Sequence, residues 1–212
     1  MPYTTEVSQG RDFFINQPNV GATKAVMFCH GYGGNGASVA VQLGNPDSTD
    51  YYLVFPNGVV TNPAEPNKLH WRSANTLGSL SEVGYFADIA LHLTDLGVTE
   101  ITIAGHSNGA SMAALLVALH PTMFNKAFCV SNFLTENTAP LTGDTPMRFV
   151  HGLNDTIVPI DGGQNNIITN MEKFKDAGHI DSETLVLNQG HDLAELNTDN
   201  RIINELENFM GV

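Results

Sequence analysis

The chain has 212 residues, 42% of them apolar and 15% charged, a size and balance that suit one buried core and exclude a disordered, collagen-like or disulfide-stapled chain. Nine Lys and Arg stand against 22 Asp and Glu, a formal charge of −13, which repels nucleic acid and anionic lipid and argues against both as partners.

No run reaches the roughly 20 apolar residues that a membrane span requires. The start, Met1-Pro2-Tyr3-Thr4-Thr5-Glu6, has neither the basic nor the apolar region of a secretory signal. The expectation is a cytoplasmic protein; a secreted one whose signal has been removed is the alternative. From there the chain alternates short β-branched runs with longer helical stretches. Residues 11–16 read as an antiparallel lead-in strand. Apolar runs follow at 24–29, 51–55, 100–104, 127–130, 147–150 and 184–187, several apolar at successive positions, as strands covered on both faces are. Helical spacing lies between them at 84–96, 108–120, 164–177 and 192–210. Such alternation predicts right-handed crossovers, a mostly parallel sheet and a single α/β domain over residues 1–212. Residues 56–80, broken by Pro56, Asn57-Gly58, Pro63 and Pro66, read as a long loop of the kind that carries function.

Gly105-His106-Ser107-Asn108-Gly109 follows one predicted strand and opens one predicted helix. A sharp strand-to-helix turn strains the central serine and presents its hydroxyl at the carboxyl edge of the sheet, and the flanking glycines admit the close approach. Ser107 is the candidate nucleophile. A serine that cleaves an acyl group needs donors for the oxyanion that develops. The glycine-rich turn His30-Gly31-Tyr32-Gly33-Gly34 can aim the Tyr32 N–H inward, and Asn108, next to the nucleophile, supplies the second amide. The turn lacks the Lys-Ser/Thr ending of a phosphate-binding loop.

Eight histidines compete for the role of base. His30, His106 and His151 flank glycines at strand ends and read as structural or pocket-lining. His70, His92 and His120 precede any acid loop or lie on helices, and His179 comes before the last strand. His191, in Asn188-Gln189-Gly190-His191-Asp192, lies on the loop that can return to the serine. In this order the acid follows the penultimate strand: Asp155, with Asp161 as the alternative. Asp192 reads as a solvated or capping residue. Cys29 and Cys129 lie in different apolar runs and read as buried free thiols.

The set His30-Gly31-Tyr32-Gly33-Gly34, Phe55-Pro56-Asn57-Gly58, Trp71-Arg72, Glu82-Val83-Gly84-Tyr85-Phe86, residues 105–110, residues 151–159 and Gly190-His191-Asp192 resembles the polyhydroxybutyrate depolymerase/feruloyl esterase-like branch of the α/β hydrolases, in the family's order. The resemblance implies a sheet of about eight strands, a Ser107–Asp155–His191 triad, Tyr32 and Asn108 as oxyanion residues, and Trp71 near the substrate pocket or in the core. It also places the strands of Cys29 and Cys129 on either side of the elbow strand. Relatives insert a cap where this chain has the short, polar stretch 131–146, so an open site without a cap domain is expected. Lacking the signal and the binding domain of polymer degraders, the chain is expected to act on a small or oligomeric ester. No metal or cofactor is required.

The expected reaction is cleavage of a carboxylic ester, short-acyl or feruloyl-type, through an acyl-enzyme on Ser107. A thioesterase, lysophospholipase or peptidase with the same triad is the alternative among enzymes, and a non-catalytic ligand-binding homologue is the alternative of another class.

Overall fold

The computed structural model describes residues 3–60, 63–66, 68–71, 78–132, 144–160, 172, 175–176, 178 and 183–212. The chain enters through a hairpin, β1 (Tyr3–Ser8) and β2 (Arg11–Asn16). Its two-residue turn, Gln9-Gly10, has positive φ at both positions, the turn whose twist matches that of paired strands. β1 has no counterpart in the sequence reading, because its polar, half-exposed residues give an edge strand no apolar run to recognise.

Six more strands complete the main sheet: β3 (Lys24–Cys29), β4 (Tyr52–Pro56), β7 (Glu100–His106), β8 (Lys126–Val130), β9 (Met147–Gly152) and β10 (Glu183–Leu187). The order is β1-β2-β4-β3-β7-β8-β9-β10. The pairings from β4 to β10 are parallel, and β1 and β2 are antiparallel. This is the eight-stranded, mostly parallel sheet of an α/β-hydrolase fold.

The apolar runs of β3, β4, β7, β8 and β9 are buried on both faces, while β10 at the sheet edge leaves Val186 exposed. One side packs on α2 (Gly78–Asp95) and α3 (Asn108–Leu119), through Tyr85, Phe86, Ile89, Met112 and Leu116. The other packs on α1 (Gly36–Gln42) and two C-terminal helices, through Val39, Leu43, Leu193, Ile202 and Leu206. α3 is buried nearly all round, as its composition predicts.

Two readings need correction, and one helix, α1, has no counterpart in the sequence reading. The 56–80 loop contains a short hairpin, β5 (Val59–Val60) with β6 (Leu69–His70), and the start of α2. α1 is short and begins at the Asn35 cap, whose side chain accepts the Ser38 amide at 2.8 Å. The stretch 192–210 is two helices: α4 (Leu193–Leu196), then a 3-10 turn with Asp199 and Asn200 in the left-handed region, then α5 (Arg201–Met210). Asn197 makes the break, since its Oδ1 accepts from the Ile202 and Ile203 amides and caps a new helix. All but residues 172 and 175–176 of the helix expected at 164–177, and residues 133–143 of the 131–146 stretch, lie outside the described residues.

Register settles the cysteines. Cys29 pairs with Gly105 and Gly105 with Cys129, so the two thiols sit one strand apart on either side of β7. Two strand spacings are about 9–10 Å, beyond the roughly 7 Å that a disulfide spans. Both thiols are free and fully buried, and burial pushes both well above the usual thiol range. An alkylating agent should leave the native protein unlabelled and add two labels to the denatured, unreduced protein; mass spectrometry of both states checks this.

Candidate active site

The carboxyl ends of β7, β9 and β10 converge on one edge of the sheet, and three loops leave from there. At the end of β7 the chain turns into α3 with Ser107 at φ 53, ψ −116, a region costly for any residue with a Cβ. The turn is held by the Ser107 amide on the Val130 carbonyl (2.9 Å) and by the Ser111 amide on the Ser107 carbonyl (3.0 Å). Glycine is required on both sides. A Cβ on Gly105 would stand 2.3 Å from the Gly109 carbonyl carbon, and one on Gly109 2.3 Å from the Cys29 oxygen. The helix end can lie on β3 only because neither has a side chain.

β9 ends at Gly152, where a Cβ would meet the Gly190 oxygen at 2.2 Å. The loops after β9 and β10 therefore run against each other, joined by Leu153 N–H to Leu187 O (2.6 Å) and Asn154 N–H to Gln189 O (3.0 Å). Contact between these loops brings Asp155 and His191 together. His191 Nδ1 lies 2.7 Å from Asp155 Oδ2, and His191 Nε2 lies 3.0 Å from Ser107 Oγ. A carboxylate only accepts, so Nδ1 carries the proton and Nε2 is left to accept the serine hydroxyl.

Asp155 is buried, and its other oxygen accepts from the Ile157 and Val158 amides at 2.9 and 2.7 Å. Burial works to raise this carboxyl, but the Val158 amide, His191 and the Ile157 amide outweigh it and hold the group below the usual carboxylate range. His151 stands on the far side, 3.6 Å from Asp155 Oδ2, and donates from Nε2 to the Val158 carbonyl. Asp192 accepts the Ala194 and Glu195 amides and caps α4. Asp161 and His179 lie outside the described residues.

Residues 31–34 form a turn closed by Gly34 N–H to Gly31 O (3.1 Å), with Gly33 at φ +78, the position where a type II turn needs glycine. Tyr32 holds the second position, and among the described residues nothing accepts its amide. Its ring is 59% exposed and stacks on His70. Asn108 is the first residue of α3, and the amides of a helix's first turn point out of its end. Tyr32 and Ser107 line the same cleft, and Asn108 directly follows the serine.

The walls of the site are tied together behind it. The Asn108 side chain pairs with the Trp71 backbone, accepting its N–H at 2.7 Å and donating to its carbonyl at 3.3 Å. The Trp71 indole N–H donates to the His30 carbonyl (2.8 Å). His30 Nδ1 donates to the Gly31 carbonyl (2.7 Å), and its Nε2 accepts the Gly58 amide (3.0 Å). Trp71 and His30, expected to line the pocket, are 3% and 1% exposed and stand behind its wall instead. The cleft itself, about 510 Å³, is lined by residues 31–34, Ser38, Gln42, His106, Ser107, Ile157 and His191. Of the three expected pocket residues, only His106 is among them. Ser38, Gln42 and Ile157 carry no sequence signal, since nothing in a polar loop or a short helix marks which side faces a cleft.

Burial lowers His30 and His106 to about 4 and also lowers His151. The folded protein thus holds these rings neutral over a pH range in which the unfolded chain, near 6.5, binds protons. Stability should be complete above that value and fall as pH drops from 6.5 towards 4, by up to about 3 kcal/mol for each of His30 and His106. Urea denaturation at pH 7 and pH 4.5 measures the loss, and His30→Gln should flatten the slope by one ring's share.

The phospholipase/carboxylesterase family matches residues 11–191. No curated protein matches the sequence. Similar solved structures include esterase PE8, 21% identical with a TM-score of 0.65, covering 98% of this chain and 99% of that one. The carboxylesterase of Bacillus cereus is 16% identical with a TM-score of 0.66, covering 90% and 93%. The Zea mays acyl-protein thioesterase 2 is 16% identical with a TM-score of 0.67, covering 92% and 98%. With the family match running over most of its length, this chain belongs to the phospholipase/carboxylesterase family of α/β hydrolases.

Proposed function

We propose that the protein hydrolyses small carboxylic esters, short-acyl or feruloyl-type, through an acyl-enzyme on Ser107. The observation that carries this reading is the unbroken chain from Ser107 Oγ to His191 Nε2 (3.0 Å) and from His191 Nδ1 to Asp155 (2.7 Å) at the wall of a cleft. His191 takes the hydroxyl proton as Ser107 attacks the carbonyl, and the tetrahedral oxyanion falls between the Tyr32 and Asn108 amides. His191 then passes the proton to the leaving alcohol. Water, deprotonated by the same imidazole, releases the acid and restores the serine. Asp155 remains ionised, fixing the tautomer and stabilising the imidazolium.

The cleft of about 510 Å³ is of the size of a small-molecule site, and the preference for short acyl groups rests on the short, polar sequence at 131–146, which offers no amphipathic helix to cover a long chain. The thioester reading stands beside it, since one structural neighbour is named as an acyl-protein thioesterase and the same triad serves both leaving groups. Turnover of nitrophenyl esters from acetate to palmitate tests the reading, with matched acyl thioesters in parallel. The maximum should fall at short chains, and Ser107→Ala should lower kcat by about 10⁴–10⁶. A maximum at palmitate, or a Ser107→Ala enzyme that keeps a few per cent of activity, would overturn it.

The Trp71–His30 bond gives a second expectation. Trp71→Phe keeps an aromatic ring in the core but loses the N–H that reaches the His30 carbonyl, freeing the strand end that carries the Tyr32 turn. kcat should fall by about tenfold with KM little changed, as for a loss felt only by the oxyanion. Steady-state kinetics beside a melting curve separate this from simple destabilisation.

A further inference from the structure

His106 stands immediately before Ser107, is 7% exposed, and is one of the cleft-lining residues. Its Nε2 lies 2.7 Å from the His191 carbonyl oxygen. A carbonyl oxygen has no proton to give, so Nε2 is the protonated nitrogen and Nδ1 carries a lone pair. Among the described residues that Nδ1 makes no hydrogen bond, and it is not among the buried polar atoms left unpaired, such as His151 Nδ1. It is an open acceptor in the wall of the cleft. Gly31 keeps it open: a Cβ on Gly31 would lie 3.1 Å from Nδ1 and 3.6 Å from Ser107 Cβ. A methyl at that position would cover the ring nitrogen and abut the carbon of the serine. The ring cannot turn to offer a donor there without giving up the bond to His191, and burial keeps it neutral at ordinary pH.

We propose that His106 Nδ1, left uncovered because Gly31 carries no side chain, is a specificity site that accepts a hydrogen bond from a substrate hydroxyl on a carbon one or two removed from the ester group. The inference rests on the ester-hydrolase reading above and narrows its substrate class to hydroxyl-bearing esters. An ester without the hydroxyl leaves an acceptor in the cleft wall without its partner when bound, a loss that a site built for a hydroxyl imposes on the plain analogue. Because Nδ1 faces the Tyr32 turn and Nε2 the His191 loop, the ring separates the two tasks: one edge positions the loop of the base and the other reads the substrate.

The test uses matched esters and compares their ratio between enzymes. Ethyl lactate and ethyl 3-hydroxypropanoate, each against ethyl propanoate, place the hydroxyl in the acyl part. The pair 2-hydroxyethyl propanoate and propyl propanoate places it in the alcohol. His106→Leu removes both nitrogens, so it slows every ester by disturbing the His191 loop. The expected signature is an additional loss of kcat/KM, about threefold to tenfold, confined to the hydroxyl ester of at least one pair. Gly31→Ala, which puts a methyl against Nδ1, should reduce the same ratio while leaving His106 in place. The arm in which the ratio changes tells whether the hydroxyl belongs to the acid or the alcohol. If wild type turns over the esters and every ratio is the same in His106→Leu and Gly31→Ala, the specificity site is overturned and the hydrolase reading stands. If wild type turns over none of them and none of the nitrophenyl esters, the hydrolase reading falls and the site with it.

Discussion

The close seating of α3 on the sheet is the constraint from which the site follows. A helix N-terminus laid directly on β3 and β7 leaves no room for a Cβ at either Gly105 or Gly109, and it forces Ser107 to φ 53. Strain of this kind persists only where surrounding contacts overdetermine it. Here the Val130 carbonyl holds the serine amide, the Ser111 amide holds its carbonyl, and α3 is sunk in core on almost every side. The same seating puts the Asn108 amide beside the serine and gives the hydroxyl one direction in which to point. A second glycine contact, Gly152 on the Gly190 oxygen, does for the Asp155 and His191 loops what the first does for the serine.

Much of the polar sequence that resembles the family supports the site rather than forming its surface. Asn57 accepts the Gly36 amide that opens α1, and Gly58 donates to His30. Trp71 bridges the Asn108 side chain and the His30 carbonyl. Glu82 is fully buried and meets Arg11 at 2.8 Å, while the Tyr85 hydroxyl donates to the Asp12 carbonyl, so α2 is fastened to β2. These bonds lock the turn that carries Tyr32 to the strand end that carries Ser107. The proposed mechanism requires donors that are in place before charge develops, and a rigid backing of buried hydrogen bonds is a physical means of fixing them.

Cations are scarce, and several of those described are turned inward. Lys24 donates to the Met210 and Gly211 carbonyls and Lys126 to the Phe209 carbonyl, at the negative end of α5. Arg148 pairs with Glu205 on the same helix and lies over the Phe209 ring. With positive charge spent on a helix end and two interior contacts, the outward-facing charge is mostly acidic. The neutral histidines around the site fit this setting, since an uncharged ring serves as acceptor or tautomer lock without adding an unpaired charge to the interior.

The sequence by itself determined the class of fold and singled out Ser107, Asp155 and His191, which the fold brings together. Six apolar runs marked six strands, five of them because burial on both faces leaves an uninterrupted apolar signature while β10 at the sheet edge leaves Val186 exposed, and Gly105-x-Ser107-x-Gly109 marked its turn because only glycine fits there. His191 and Asp155 were legible from their order after the last strands. β1 and the β5–β6 hairpin were not, being short and half-exposed, and the break at Asn197 was hidden because a cap inside a helical pattern looks like any polar position. Only the tertiary structure decided which residues face the cleft. Trp71 and His30 resemble pocket residues in sequence yet stand behind the wall, because their hydrogen-bond partners come from segments distant in the chain. For His106, the bond to the His191 carbonyl selected one tautomer, a choice made by a partner 85 residues away that no local pattern encodes.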